Sequence, residues 1–500
     1  MYWIWGIILC IGALIWWWQR SSELYWEKNG VSYISGPPFI GALKDCLTMK
    51  KSFVDLFYDI YNDRKFKDDP ITGFYFFHKP RLIIRHPELI KNILVKDFAY
   101  FVDRASDSDA HDIIGRDNLF VVKGQRWKAL RSKISPVLTT GKLKNFFHLV
   151  VDVSNVLNEK LSSEIGGECR EYEVKQLAAT FTIDSIAISA FGVKANSLLN
   201  PNGEFYRKAN KCFDFHWKRV IESAICIFLP ELAIFFRMKI FSEETNDFLR
   251  SSINFVMQER IKGGGKHNDL IDALIGMNKE DPELFKGDTL VAQAAVFLLA
   301  GYETSSSVIA FALYELARQP EAQEKLRNEI KHYLKKYESV QYETISEMDY
   351  LNCVVQETLR MYPAGPILDR ICTPPEGADS YSLEPHHKFE IPRGMSVYIP
   401  FFSIHRDPKF FPDPLKFNPE RFSPENRDSI DQYTYMAFGL GPRNCIGSRF
   451  GYLMVKMALI TILRNYRVEA TERTPKFIEF DKRAMVTKSA KPLYMNFKRI

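Results

Sequence analysis

The chain has 500 residues, enough to bury a large core in one big domain or in two or three smaller ones. Hydrophobic residues make up 46%, charged residues 26% and aromatics 14%, with 38 Phe. That excludes a disordered or fibrous chain and points to a greasy interior or an apolar ligand. The 67 basic residues against 61 acidic ones leave a net charge of +6, too mild an imbalance to argue for nucleic acid.

Residues 1–18 carry no charged side chain. At about 1.5 Å per residue such a helix nearly spans a hydrocarbon core of ~30 Å. Trp3 and Trp5 at one end and Trp16 to Trp18 at the other resemble interfacial belts. Arg20 and Lys28 follow, which predicts a single N-terminal membrane anchor with the bulk of the chain on the cytoplasmic side. A cleavable signal peptide is disfavoured, because there is no basic n-region and no small-x-small site after the apolar run. No other stretch reads as apolar for about 20 residues, so one span is expected. Residues 19–38 form a linker ending in a Gly/Pro hinge at Gly36-Pro37-Pro38, and residues 39–500 form the globular body.

Helical periodicity dominates that body, at 122–132, 143–160, 177–190, 245–262, 289–317, 321–337 and 346–361. Strand-like runs are short, at 73–77, 81–85, 388–391 and 396–399. The expected class is mainly α with a small β region. Between residues 121 and 146 lie Lys123, Arg126, Lys128, Arg131, Lys133, Lys142 and Lys144 and no acidic residue, a face suited to an acidic partner protein. Gly263-Gly264-Gly265-Lys266 lacks the Ser or Thr and the first Gly of a phosphate loop and reads as a flexible interhelical turn. No GxSxG, HExxH or post-strand GxGxxG occurs.

Chemistry concentrates in a few places. None of the eight cysteines forms a CxxC pair or zinc-ligand spacing, so a reducing compartment is the simpler reading. Cys445 stands apart. Glycines and a proline precede it in FGLGPRNCIG, and the apolar helical pattern of Phe450, Leu453, Met454 and Met457 follows. That puts the thiol near a helix N-terminus with Arg443 two residues away, a setting that favours a thiolate. Glu357 and Arg360 share a helix face at i, i+3, and Trp127 and Arg131 share one at i, i+4, a donor pair suited to an anion. Gly301 inside a helix costs about 1 kcal/mol relative to Ala. With Ala300 it would let a flat group lie against the backbone. The Thr304 hydroxyl can bond back to the Ala300 carbonyl and open the helix locally, with Glu303 beside it as a proton source.

These segments resemble the cytochrome P-450 monooxygenases. FGLGPRNCIG fills every fixed position of the haem-ligand signature FxxGxRxCxG, including Phe438 and Gly447. Residues 357–360 resemble the ExxR helix, 414–422 the PxxFxPxRF meander, 300–304 the AGxxT helix, and 127–131 the WxxxR helix, all in the family's order. The resemblance implies haem b with Cys445 as axial ligand to iron. Trp127, Arg131, Arg370, Arg443 and Arg104 are its implied propionate contacts, and Ala300, Phe438 and Gly447 implied cofactor neighbours. Thr304 and Glu303 are the implied proton relay, and Glu357, Arg360 and Arg421 a structural triad. It further implies an endoplasmic-reticulum enzyme taking electrons from NADPH through NADPH–cytochrome P-450 reductase, with cytochrome b5 as a further partner and no nucleic acid. The segments 120–146 and 297–330 look closest to the insect microsomal branch that oxidises foreign lipophiles; steroid, hormone or fatty-acid oxidation stays open. The apolar run 224–236, with Phe205, Phe213, Phe215 and Trp217 nearby, is expected to line a pocket entrance or touch the bilayer. Residues 101–120, 364–368 and 484–488 occupy the implied substrate-contact regions. A peroxide-rearranging haem-thiolate isomerase and a non-catalytic haem or lipid carrier are the alternatives; neither has use for Glu303–Thr304.

Overall fold

The computed structural model describes residues 2–37, 40–167, 169–213, 216–263, 269–337 and 340–500. Pro38 of the expected hinge, Phe215 and most of the glycine turn at 263–266 lie outside them. The chain forms two compact units, each assembled from separate stretches.

The first unit comprises Met1–Ala105, Gly365–Phe410 and Gln432–Asn444. Its centre is a four-stranded sheet in the order Ile71–Phe76, Lys79–Ile84, Ser396–Ile399, Leu368–Ile371. The first two strands are an antiparallel hairpin with Ile71 opposite Ile84, and the second runs parallel to the third. Every residue of Ile71–Phe76 is buried because both faces are covered. On one face Phe74, Phe76 and Tyr398 meet Phe57 of the Phe53–Asn62 helix. On the other, Trp26 lies so close over Gly73 that a Cβ there would sit 2.5 Å from the indole. Trp26 belongs to the Tyr2–Lys28 helix, which is 27 residues long and runs on past residue 18. The segment expected as a linker is therefore helix as far as Lys28, and Trp26, fully buried, pins its end to the sheet. A two-stranded sheet, Ser380–Ser382 with Glu390–Pro392, completes the unit.

The second unit comprises Ser106–Ala364, Phe411–Asp431 and Cys445–Ile500. The Thr289–Arg318 helix runs through its core, packed on the Val174–Phe191 helix and on Ser448–Leu463. By length and composition alone it could cross a membrane, which the sequence reading did not expect of any second segment. Its apolar window is 72% buried within the unit, so it is a core helix covered nearly all round. The pattern at 346–361 resolves into two helices, Tyr342–Glu347 and Asp349–Met361, broken at buried Met348. Glu329 explains the restart: its carboxylate accepts the Tyr350 and Leu351 N–H groups, both at 2.8 Å. A three-stranded sheet, Cys169–Glu173, Tyr494–Arg499 and Tyr466–Ala470, escaped the sequence reading because strands such as CREYE carry no apolar run.

Candidate active site

In the first unit, residues 438–444 form a tight loop. Gly441 has φ +70°, and a Cβ there would lie 1.8 Å from the Leu94 carbonyl oxygen, so only glycine fits. Half-buried Phe438 opens the loop. Arg443 near its end is buried, donates to the Val102 carbonyl at 2.6 Å and stands 3.8 Å from the Asp103 carboxylate. Arg104 pairs with Asp369 at 3.1 Å, and the Ala105 N–H donates to the other oxygen of that carboxylate. Burial would push Asp369 up, but Arg104 and the Ala105 N–H outweigh it and hold the carboxyl below its usual range.

Strand alternation turns Arg370 inward, where it is 1% exposed. Its Nη1 donates to the Asp369 carbonyl at 2.7 Å, but its Nε meets no acceptor. Burial, and next the neighbouring Arg104 charge, lower its pKa to about 9. Arg370 thus keeps an unsatisfied buried donor beside two further guanidinium groups, a setting that an acidic ligand would complete.

In the second unit, exposed Cys445 precedes the Ser448–Leu463 helix, whose N-cap, Gly447, supplies no side chain to the first turn. Burial pushes the thiols of Cys46, Cys226 and Cys372 up to about 12 and those of Cys212 and Cys353 to about 11, unsuitable for a thiolate ligand. On the Gly124–Ile134 helix, Trp127 is buried and Arg131 half-buried; burial lowers the Arg131 pKa, with Cys445 as the opposing influence. Cation, indole and Cys445 thus belong to one unit.

On the Thr289–Arg318 helix, Ala300 is exposed and Thr304 half-buried in an otherwise buried stretch. The Thr304 hydroxyl donates to the Ala300 carbonyl at 2.5 Å. The expected local opening is absent: the helix is unbroken, the hydroxyl bonding within the existing turn. Gly301 is accounted for by close packing, since a Cβ there would lie 2.7 Å from the Ile186 tip on the neighbouring helix.

Glu303, about 100° further round than Thr304, faces the same neighbour. Its Oε2 accepts from Lys175 Nζ at 2.9 Å, and Lys175 also donates to Ser306 Oγ at 2.6 Å. The acid and alcohol expected as one relay therefore lie on different faces, and Glu303 Oε1 is buried without a hydrogen-bond partner.

Glu357 and Arg360 are fully buried and bidentate, at 2.7 and 3.0 Å. Arg421 Nε approaches Glu357 at 3.4 Å, the Asn418 N–H donates to it at 2.8 Å, and Arg360 donates to the Pro414 carbonyl. The structure thus brings the three triad residues together with every carboxylate oxygen engaged.

The family model described as Cytochrome P-450 matches residues 36–497. The chain belongs to the cytochrome P-450 family. Relatives include probable cytochrome P-450 6w1 of Drosophila melanogaster, 41% identical over 99% of this chain and 98% of that protein. Probable cytochrome P-450 6g2 of the same fly is 43% identical over 95% and 94%. Cytochrome P-450 6j1 of Blattella germanica is 40% identical over 90% and 88%. This P-450 is accordingly a monooxygenase, and its family implies haem as cofactor.

The basic run of this P-450 is largely spent internally. Lys123 pairs with Asp107, Arg126 with Asp117, Lys133 with Asp281 and Lys144 with Glu343. Counting along the chain could not see carboxylates arriving from other elements, so the cationic face is smaller than expected. Sequence reasoning also missed Lys175 and Asp369. Lys175 sits in no motif; Asp369, adjacent to Arg370 in a four-residue strand, was the one visible signal.

Proposed function

We propose that this enzyme is a microsomal monooxygenase that inserts one oxygen atom of O2 into lipophilic, xenobiotic-type substrates, with electrons from NADPH through a reductase. The observation that carries the cofactor assignment is Arg370: buried, cationic, short of an acceptor and flanked by Arg104 and Arg443. An acidic group fits that donor set, and within the second unit Trp127 and Arg131 are a donor pair of the same kind. Cys445 would hold the haem iron through its sulfur. When bound, haem supplies the oxygen activation and bond chemistry, its electronic character set by thiolate donation.

The chain's own residues do the rest. Arginine and indole donors hold carboxylates, and Arg131 supplies positive charge toward the Cys445 sulfur. Thr304 holds a proton at Oγ1, parked on the Ala300 carbonyl, and passes it on through water. Glu303 balances Lys175 and joins a relay only if that ion pair opens.

Exposed Trp3, Trp5, Leu9, Leu14, Trp16 and Trp17 support a membrane anchor at the endoplasmic reticulum. Leu232, Ile234, Phe235 and Phe236 are exposed while Cys226 and Phe228 are buried, which supports bilayer contact by the outer part of the 224–236 run. Exposed Lys128 and half-buried Lys142 remain for an acidic redox partner, a reductase or cytochrome b5.

Membranes carrying the protein, a reductase, NADPH and 18O2 test the reading. One labelled oxygen per product is expected, and Thr304→Ala should divert NADPH electrons into peroxide. Conversion of a hydroperoxide without NADPH would identify an isomerase instead, and bound haem with no turnover of any lipophile a carrier.

A further inference from the structure

We propose that His86, Glu88 and His386 form a binding site for a divalent transition-metal ion of the zinc type, separate from the haem chemistry. All three belong to the first unit. His86 follows the Lys79–Ile84 strand and caps the short Pro87–Lys91 helix, whose first turn carries Glu88. His386 comes from the loop between the strands Ser380–Ser382 and Glu390–Pro392.

The three side chains crowd together. The two imidazole rings lie 4.2 Å apart between centroids, His386 Nε2 is 3.0 Å from a Glu88 oxygen, and one donor atom from each residue lies within 4.8 Å of the others. A tetrahedral zinc holds its donors about 3.3 Å apart, a spacing the Glu88–His386 pair already meets, so any closure falls on His86. His386, 18% exposed, is the fixed wall, and Glu88, 68% exposed, is free to adjust as His86 approaches.

Two imidazoles and one carboxylate without thiolate suit Zn2+, Co2+, Ni2+ or Cu2+ and disfavour Mg2+ and Ca2+, which prefer all-oxygen shells. Ligation keeps the ring neutral: the Nε2 proton that His386 directs at Glu88 is given up to water while Nδ1 takes one, which leaves Nε2 free for the metal beside the Glu88 carboxylate. His86 Nδ1 holds only a long 3.3 Å bond from the Glu88 N–H, which turns to water when the ring ligates. A cleft of ≈ 690 Å³ beside His386, lined also by Glu384 and His387, leaves room for water in the open coordination position.

The full chain in detergent, dialysed against ZnCl2 and then against metal-free buffer, should retain one zinc per chain by atomic emission. His86→Ala and His386→Ala should fall to background, and His332→Ala, an exposed histidine elsewhere, should retain the metal. Glu88→Gln, at an exposed position that cannot unfold the chain, should weaken zinc binding more than about tenfold. Zinc should also raise the thermal midpoint of the parent chain but not of the variants. No retained zinc in the parent chain, or equal retention in Glu88→Gln and both histidine variants, overturns the assignment.

Discussion

Glu303 and Lys175 show how much a single contact can redirect. Adjacent numbering makes Glu303 look like a companion to Thr304, yet the helical step carries its carboxylate to Lys175, where side-chain exposure is 3% for the acid and 20% for the amine. Burial lowers the Lys175 pKa, and Glu303 is the leading influence against that fall. Lys175→Met strands an uncompensated carboxylate and should destabilise the fold by about 3–5 kcal/mol, whereas pairing it with Glu303→Gln should recover most of that loss. Urea unfolding of the two variants measures the difference. Equal stability of single and double variants would show that the pair carries no such burden. The pairing was not legible beforehand, because Lys175 stands 128 residues from its partner with no motif around it. Arg360 with Glu357 was legible, since partners three residues apart share a face whatever the tertiary fold.

Elements divide in the same way. Long periodic helices such as Thr289–Arg318 announce themselves, as does the strand Ser396–Ile399, every residue of it buried. The Cys169–Glu173 strand is held by its partner Tyr494–Arg499, more than 300 residues on, and leaves no local trace. Helix-to-helix contacts were equally hidden. Lys456 of the Ser448–Leu463 helix is buried and donates to Asn352 of Asp349–Met361. Burial lowers its pKa from 10.5 to about 8, with Glu329 opposing. The unfolded chain therefore binds more protons than the native one between about pH 8 and 10.5, so this group makes stability rise with pH across that window. Lys456→Met should flatten the rise and add on the order of 1–3 kcal/mol near pH 7. Denaturant titrations at pH 7, 8.5 and 10 compare the slopes; parallel curves for parent and variant would remove Lys456 from the account.

At the scale of the whole molecule, the burial of the N-terminal helix changes along its length, which separates the proposed anchor from a packing role. Trp26 is buried against the first unit's sheet, whereas Trp3, Trp5, Trp16 and Trp17 face outward. Deleting residues 2–18 should release the chain from carbonate-washed membranes with little change in its thermal midpoint, because the buried part of the helix remains. Trp26→Ala should do the reverse, leaving membrane attachment intact and costing about 3–5 kcal/mol of stability. Sedimentation and thermal unfolding of the two variants separate the roles; retention of the deleted chain in membranes would refute the anchor. Net charge gave a poor guide at this scale. The lysines and arginines of 121–146 looked like one cationic face, but folding sets Asp107, Asp117, Asp281 and Glu343 against four of them.

Cys445 as the sulfur ligand of haem is the claim on which the chemistry depends, and the reduced, carbon-monoxide-bound difference spectrum tests it most directly. The parent protein should show the thiolate-type Soret band, and Cys445→Ser should lose it while still folding. A parent protein lacking that band with haem bound, or a Cys445→Ser variant keeping it, would contradict the assignment.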